Sequence, residues 1–196
     1  MKNILALFLL IIQCGFGVAR TGTDITIKLV HNSDPERQTQ AQFERILKTY
    51  DTSRWIFTKD VVIETGAIPH SHPVLTLNSR HLDNDDLLLS TFVHEQMHWF
   101  LDGRQKEVWL AAAELKSAFP SLPTGYPEGA DSDESNYEHL IVIYLEYKAT
   151  QQLIGDTGSK KVMKFWMSDH YKKLYSTVWD NQKLINSILL KYRLFP

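Results

Sequence analysis

From Asn84 to Leu101 the chain is apolar around most of a helical circumference: Leu87, Leu88, Leu89, Phe92, Val93, Met97, Trp99, Phe100 and Leu101 leave no broad polar face. A helix of that composition has to be enclosed by other elements, so the chain must build layers around it. Its limits are readable. Asn84 is a good N-cap, Asp85 and Asp86 suit the first turn, and Gly103 is a stop signal. Inside this helix lies His94-Glu95-Gln96-Met97-His98. A four-residue separation is about one turn, so both imidazoles leave the same face and can grip a single Zn²⁺. Glu95 follows the first histidine directly, where it can reach a water at the metal as a general base without being a ligand. Burying two histidines and a glutamate is costly unless something pairs with them, and a metal does so. The ordinary alternative is a pair of core histidines bonded to backbone carbonyls.

Two histidines do not complete a catalytic zinc site, which takes a third protein ligand and leaves a position for water. Leu140 to Leu145 is apolar without a period, which makes the segment a second enclosed helix. Its polar interruptions are Glu138, His139 and Glu146. His139 and Glu146 are two turns apart and share a face, while Glu138 lies about 100° round. We expect His139 as the third ligand, with Glu146 behind it orienting a histidine. The competing arrangement has Glu138 or Glu146 as ligand and His139 in support.

Residues 1–19 read as a secretory signal peptide. Met1-Lys2-Asn3 is a positive start, Ile4 to Ile12 is an apolar run too short to span a bilayer comfortably, and Gly17 and Ala19 suit cleavage. An uncut membrane anchor is one alternative. A lipid anchor at Cys14 is another, ranked lower because Gln13 replaces the usual small residue before it. Cleavage after Ala19 leaves 177 of the 196 residues, enough for one domain with a real core, residues 20–196. The expected location is secreted or periplasmic, with no membrane span once the signal is removed. Cys14 is the only cysteine, so such a domain has no disulfide. With 21 basic and 23 acidic side chains and no basic run, nothing points to nucleic acid.

The order of elements is strands first and helices later. Ile25–Val30, Trp55–Phe57, Val61–Ile63 and Val74–Asn78 read as strands. Asp34-Pro35 starts a helix that runs to about Tyr50, with Asp34 as its cap. Helices are also expected from Gln105 to Phe119, from Glu134 to Ile154 with a stop at Gly155, and as one or two pieces from Lys160 to Lys191. Pro120 to Asp133 is a loop, and His70-Ser71-His72, between two prolines, is expected at a cleft rim. The fold class is therefore α+β: a small N-terminal mixed sheet packed on a helical core that holds the motif helix.

The chain resembles the zincin metallopeptidases over roughly Ile25 to Gly155. His94-Glu95-Gln96-Met97-His98 is the matching motif. The resemblance implies a sheet before the motif helix whose edge strand lines the cleft. Val74 to Asn78 would be that strand, binding an extended peptide by strand addition. The chain departs from the metzincin pattern, since the next histidine after His98 is His139. It matches the thermolysin-like group only in part, because a histidine stands where a glutamate is expected. Tyr137, His139-Leu140 and Glu146 also look like the helix of small exported bacterial proteins with that pattern. The expected function is an exported zinc metallopeptidase acting on a peptide or protein substrate, with Glu95 catalytic and His94, His98 and His139 on the metal. Oxyanion stabilisation needs one more donor, for which His170, Tyr171 and Tyr175 are candidates. For those three, plain core packing is the favoured reading. The alternatives are a zinc hydrolase of a non-peptide amide or ester, and an inactive zincin-like protein whose metal is structural.

Overall fold

Residues 24–196 are described by the structure, a computed structural model. The expected signal peptide, residues 1–19, and Cys14 lie outside the described residues. The fold begins with a strand, β1 (Thr26–Leu29), that turns tightly into a helix, α1 (Asp34–Thr49). Glu36 organises the turn. Its carboxylate accepts backbone N–H groups from His31 at 2.9 Å, Ser33 at 3.2 Å and Thr65 at 3.1 Å. That ties the end of β1, the start of α1 and the residues after β2 (Asp60–Ile63) to one buried side chain. Ser33 rather than Asp34 is the N-cap, so Asp34 and Pro35 both fall in the first turn, where the missing proline N–H leaves nothing unpaired.

The sheet has three strands in the order β1-β2-β3, with β3 at Leu75–Leu77. Both pairings are parallel, so the expected mixed sheet is corrected to a parallel one. The cause is in the connections. α1 returns the chain to the end of the sheet where it started, and the stretch from residue 64 to 74 does the same before β3. Among the described residues the one antiparallel contact is an isolated bridge between His70 and Thr76.

Trp55-Ile56-Phe57, expected as a strand, is not one. Ser53–Trp55 is a 3₁₀ turn, set by the Asp51 carboxylate accepting both N–H and hydroxyl of Ser53. The next residues pair with a side chain instead of a neighbouring strand. Gln96, fully buried on the motif helix, accepts from the N–H groups of Phe57 at 2.7 Å and Thr58 at 2.9 Å, and donates to the Thr58 carbonyl at 2.8 Å. Gln96→Leu removes all three bonds while keeping the bulk. Unpairing these backbone groups is expected to cost about 2–4 kcal/mol, or roughly 4–16 °C of melting temperature for a chain of this size. A thermal melt within 2 °C of wild type would show that this anchor carries no stability.

The motif helix is α2 (Asp85–Asp102), capped by the Asn84 side chain, which accepts the Leu87 N–H at 3.1 Å. It is enclosed as expected: Leu88, Leu89, Phe92, Val93, Met97, Phe100 and Leu101 are all buried. It lies against α4 (Asp133–Asp169), with α3 (Gln105–Ala118), α5 (Lys172–Asp180) and α6 (Gln182–Lys191) completing the helical layer. One core of buried side chains runs from Phe43 on α1 to Leu194. No described helix is long and apolar enough to cross a membrane.

The expected stop at Gly155 is a break inside α4, after which the helix resumes to Asp169. Gly155 has φ 73° and ψ 173°, a combination open essentially to glycine alone. A straight helix would set Trp166 about 30 Å from Glu146. Both instead reach Ser90, so α4 doubles back at Gly155. The C-terminal region therefore holds three helical stretches, where one or two are expected.

Candidate metal centre

α2 supplies His94 and His98, and the first turns of α4 supply His139. One nitrogen from each of the three rings lies within 4.8 Å of the others. The ring centroids are 5.4 Å apart for His94 and His98, 5.6 Å for His94 and His139, and 5.0 Å for His98 and His139. Every Nδ1 has its own acceptor behind the ring. His94 donates to Glu146 at 3.0 Å, His98 to Glu138 at 3.1 Å, and His139 to the carbonyl of Ser135 at 2.7 Å. Carboxylates and carbonyls only accept, so the proton sits on Nδ1 and each Nε2 turns a lone pair toward the other two rings. Three converging lone pairs repel one another and fit a cation between them. The donor set, three neutral imidazole nitrogens, suits zinc or another transition metal.

Burial keeps the His94 and His139 rings uncharged. His139 is pulled down to about 3, first by desolvation and then by His94 and His98. His94 falls well below the usual histidine value, first by burial and then through His98 and His170. Each is therefore ready to bind a metal at neutral pH without shedding a proton.

Glu138 and Glu146, the competing ligands of the sequence reading, sit against the outer nitrogens. Glu146 is 1% exposed and accepts from His94, from the Tyr175 hydroxyl at 2.8 Å and from the Ser90 hydroxyl. Trp166 in turn donates to Ser90 at 2.9 Å. Burial pushes Glu146 up to about 7, against the pull of Ser90 and Tyr175. Glu138 is held below the carboxylate norm, chiefly by its bond to His98.

Glu95 is 7% exposed and its carboxyl makes no hydrogen bond among the described residues, yet it lines the same pocket as the three histidines. Burial pushes its carboxyl up to about 7. A carboxyl poised near neutrality and left unpaired is suited to taking up and releasing a proton.

The pocket holds about 600 Å³. One wall is Ala67 to Ser71. This segment also covers the outer edge of β3, since His70 and Thr76 exchange backbone bonds at 3.2 and 2.8 Å. Val74–Asn78 is thus not the free edge that the zincin resemblance implies; the segment facing the pocket is the one paired to it. His72 does not join a metal group: it stacks on Trp99 at 4.3 Å and bonds Asp102 at 2.7 Å. Among the described residues, His94, His98 and His139 form the one group able to hold a metal.

The opposite wall is the Pro-rich loop with the start of α5. Pro127 and Glu128 accept the N–H groups of Lys172 and Lys173, each at 3.0 Å. Asn136 bridges Ala130 at 2.8 Å and Pro123 at 3.0 Å. Gly129 packs so tightly that a Cβ would lie 1.8 Å from the Pro123 carbonyl oxygen. The loop is a fixed wall. All three aromatic candidates border the pocket, but Tyr175 is almost wholly buried and its hydroxyl is committed to Glu146, whereas His170 and Tyr171 are less buried. His170 bonds Asp169 at 2.7 Å through Nδ1, and Arg80 pairs with Asp169 through two nitrogens, one at 2.8 Å. Ser90, Arg80, Asp169 and His81, none of them candidates from sequence, border the site as well. Only Ser90 carried a signal, lying one helical turn before His94 on the same face. Comparison of the chain with protein-family models, with curated proteins and with solved structures finds no match.

Proposed function

We propose that this chain is an exported zinc-dependent hydrolase that cleaves peptide bonds. The observation that carries the reading is the pairing of three back-bonded histidines with an unpartnered glutamate beside them. A metal site meant only for structure has no need of a buried, unpaired carboxyl in its pocket, since that group costs stability. The N-terminal apolar run supports export.

When bound, zinc supplies Lewis acidity, lowering the pKa of a water toward neutrality and polarising the substrate carbonyl. Glu95 accepts the proton of the attacking water and passes it to the leaving amine, which its value of about 7 permits at neutral pH. His170 and Tyr171 offer hydrogen bonds to the oxyanion from the far wall. Tyr171 stands with its ring 4.6 Å from that of His139. Its backbone is in the left-handed region at φ 51°, a strained setting that fixes the ring at the site. Glu146 and Glu138 hold the ligand rings in orientation.

The test is a broad peptide library incubated with the zinc-loaded protein, with and without a chelator. Cleavage that stops on chelation and returns with zinc is the expected result. A library left intact by fully loaded protein sinks the peptidase reading. A further expectation concerns the support of His94: Glu146→Gln should weaken zinc binding about 10–100-fold, measured by competition with a chromogenic chelator. Unchanged affinity would remove Glu146 from the site's support.

A further inference from the structure

The pocket does not end at the metal-binding face. It continues along α2 toward the helix N-terminus, past Thr91 and Ser90, to His81, Trp166 and Arg80. Ser90 and Thr91 are about one turn from His94, so this chamber begins roughly 5 Å from the histidine cluster. That places it beside the scissile bond of any substrate processed there.

The polar groups of the chamber are almost all occupied. Ser90 donates to Glu146 and receives Trp166. Thr91 donates to the carbonyl of Leu87 at 2.9 Å. Asn78 donates to Ala67 at 2.7 Å and receives the N–H of Arg80 at 3.1 Å. Arg80 and Asp169 hold each other. His81 is the exception. It is 7% exposed, yet neither ring nitrogen has a hydrogen-bond partner among the described residues. Its backbone is pinned, with the carbonyl accepting Gln42 and the Asn84 N–H, each at 3.1 Å. Its ring stands edge-on to Phe165 at 5.7 Å and to Trp166 at 5.3 Å. Native structures rarely leave a buried polar side chain wholly unpaired, and a rigidly held one facing a pocket is a built contact for a ligand.

We infer that His81 is the recognition residue of a substrate subsite that selects an uncharged side chain able to hydrogen-bond, an amide or a hydroxyl, next to the cleaved bond. The inference rests on the peptide-hydrolase reading above. A neutral imidazole offers one donor and one acceptor, which an amide or hydroxyl can meet together. Burial, with the charge of Arg80 second, pulls His81 down to about 4 and keeps it neutral at physiological pH. A charged side chain finds no counter-charge there, because Arg80 and Asp169 already neutralise one another. An aliphatic side chain would bury His81 unpaired, and that is where the discrimination arises.

The experiment uses zinc-loaded full chain and hydroxamate-capped dipeptides in near-isosteric pairs, Asn against Leu and Tyr against Phe. Affinities are read by calorimetry for wild type, His81→Leu and His81→Gln, with zinc content checked for each. Wild type should bind the polar member of each pair about tenfold more tightly. The preference should vanish or reverse in His81→Leu and return in part in His81→Gln. Equal ratios in wild type and His81→Leu, a wild-type preference for the apolar member, or no binding by any dipeptide overturns the inference. If His81→Leu does not fold, His81→Gln decides: a ratio lost in spite of its retained amide is equally fatal. The peptidase reading is judged separately by library turnover. Turnover without a His81-dependent ratio defeats this inference alone, and a His81-dependent ratio without turnover keeps the subsite and defeats the peptidase reading.

Discussion

Glu95→Gln is expected to lower peptide turnover by about 10²–10⁴-fold, the usual contribution of a positioned general base, with zinc stoichiometry unchanged. The substitution keeps the shape and removes the carboxylate that accepts the proton. It breaks no side-chain hydrogen bond, because the Glu95 carboxyl has no partner among the described residues. The metal-free variant should also be more stable than wild type at pH 8. The folded Glu95 value of about 7 lies above the usual 4.5. Between those values the folded chain holds a proton that the unfolded chain has lost, so the contribution of this group falls as pH rises through that window. The gap in melting temperature between variant and wild type should therefore open from about pH 4.5 to pH 7 and stay level above. Lost activity together with gained stability marks a group kept for chemistry. A variant that retains turnover, or one that is less stable than wild type at pH 8, would assign Glu95 to the structure instead.

The second large effect concerns the metal. Wild type should bind one zinc per chain. Zinc at about a thousand times its dissociation constant should stabilise the fold by about 4 kcal/mol, roughly 8–16 °C in melting temperature at this chain length. In His139→Ala that shift should shrink to a few degrees and stoichiometric zinc should be lost on gel filtration. Glu138→Ala should keep one zinc with reduced affinity, because Glu138 reaches the site through Nδ1 of His98. The opposite pair of results, zinc kept without His139 and lost without Glu138, would exchange their roles.

Much of this centre was legible in the sequence because its signals are local. A four-residue spacing on a helix places His94 and His98 together, and seven residues place His139 and Glu146 on one face. Asn84, Gly103 and the unbroken apolar run located α2 for the same reason. What could not be read is what long-range contacts decide. The strand propensity of Trp55-Ile56-Phe57 was overridden by Gln96, which lies some forty residues away and takes their backbone groups. The mixed sheet was an expectation about connections, and crossovers carry no periodic signal. Arg80 and Asp169 meet across 89 positions, and His81 becomes informative only when its lack of a partner is seen. Tyr171 and Tyr175 share a helical spacing and both border the pocket, yet Tyr175 is buried with its hydroxyl held by Glu146.

The break at Gly155 divides the labour of α4. Before it come His139 and Glu146, at the histidine cluster; after it come Trp166 and Asp169, which line the part of the pocket that also holds His81. A side chain at position 155 would oppose the backbone conformation that folds the second half over the first. Its damage would be felt in the chamber while the histidines kept their place. For the proposed hydrolase, a lesion at 155 would therefore resemble a change of diet rather than a loss of function, sparing metal binding and blurring discrimination.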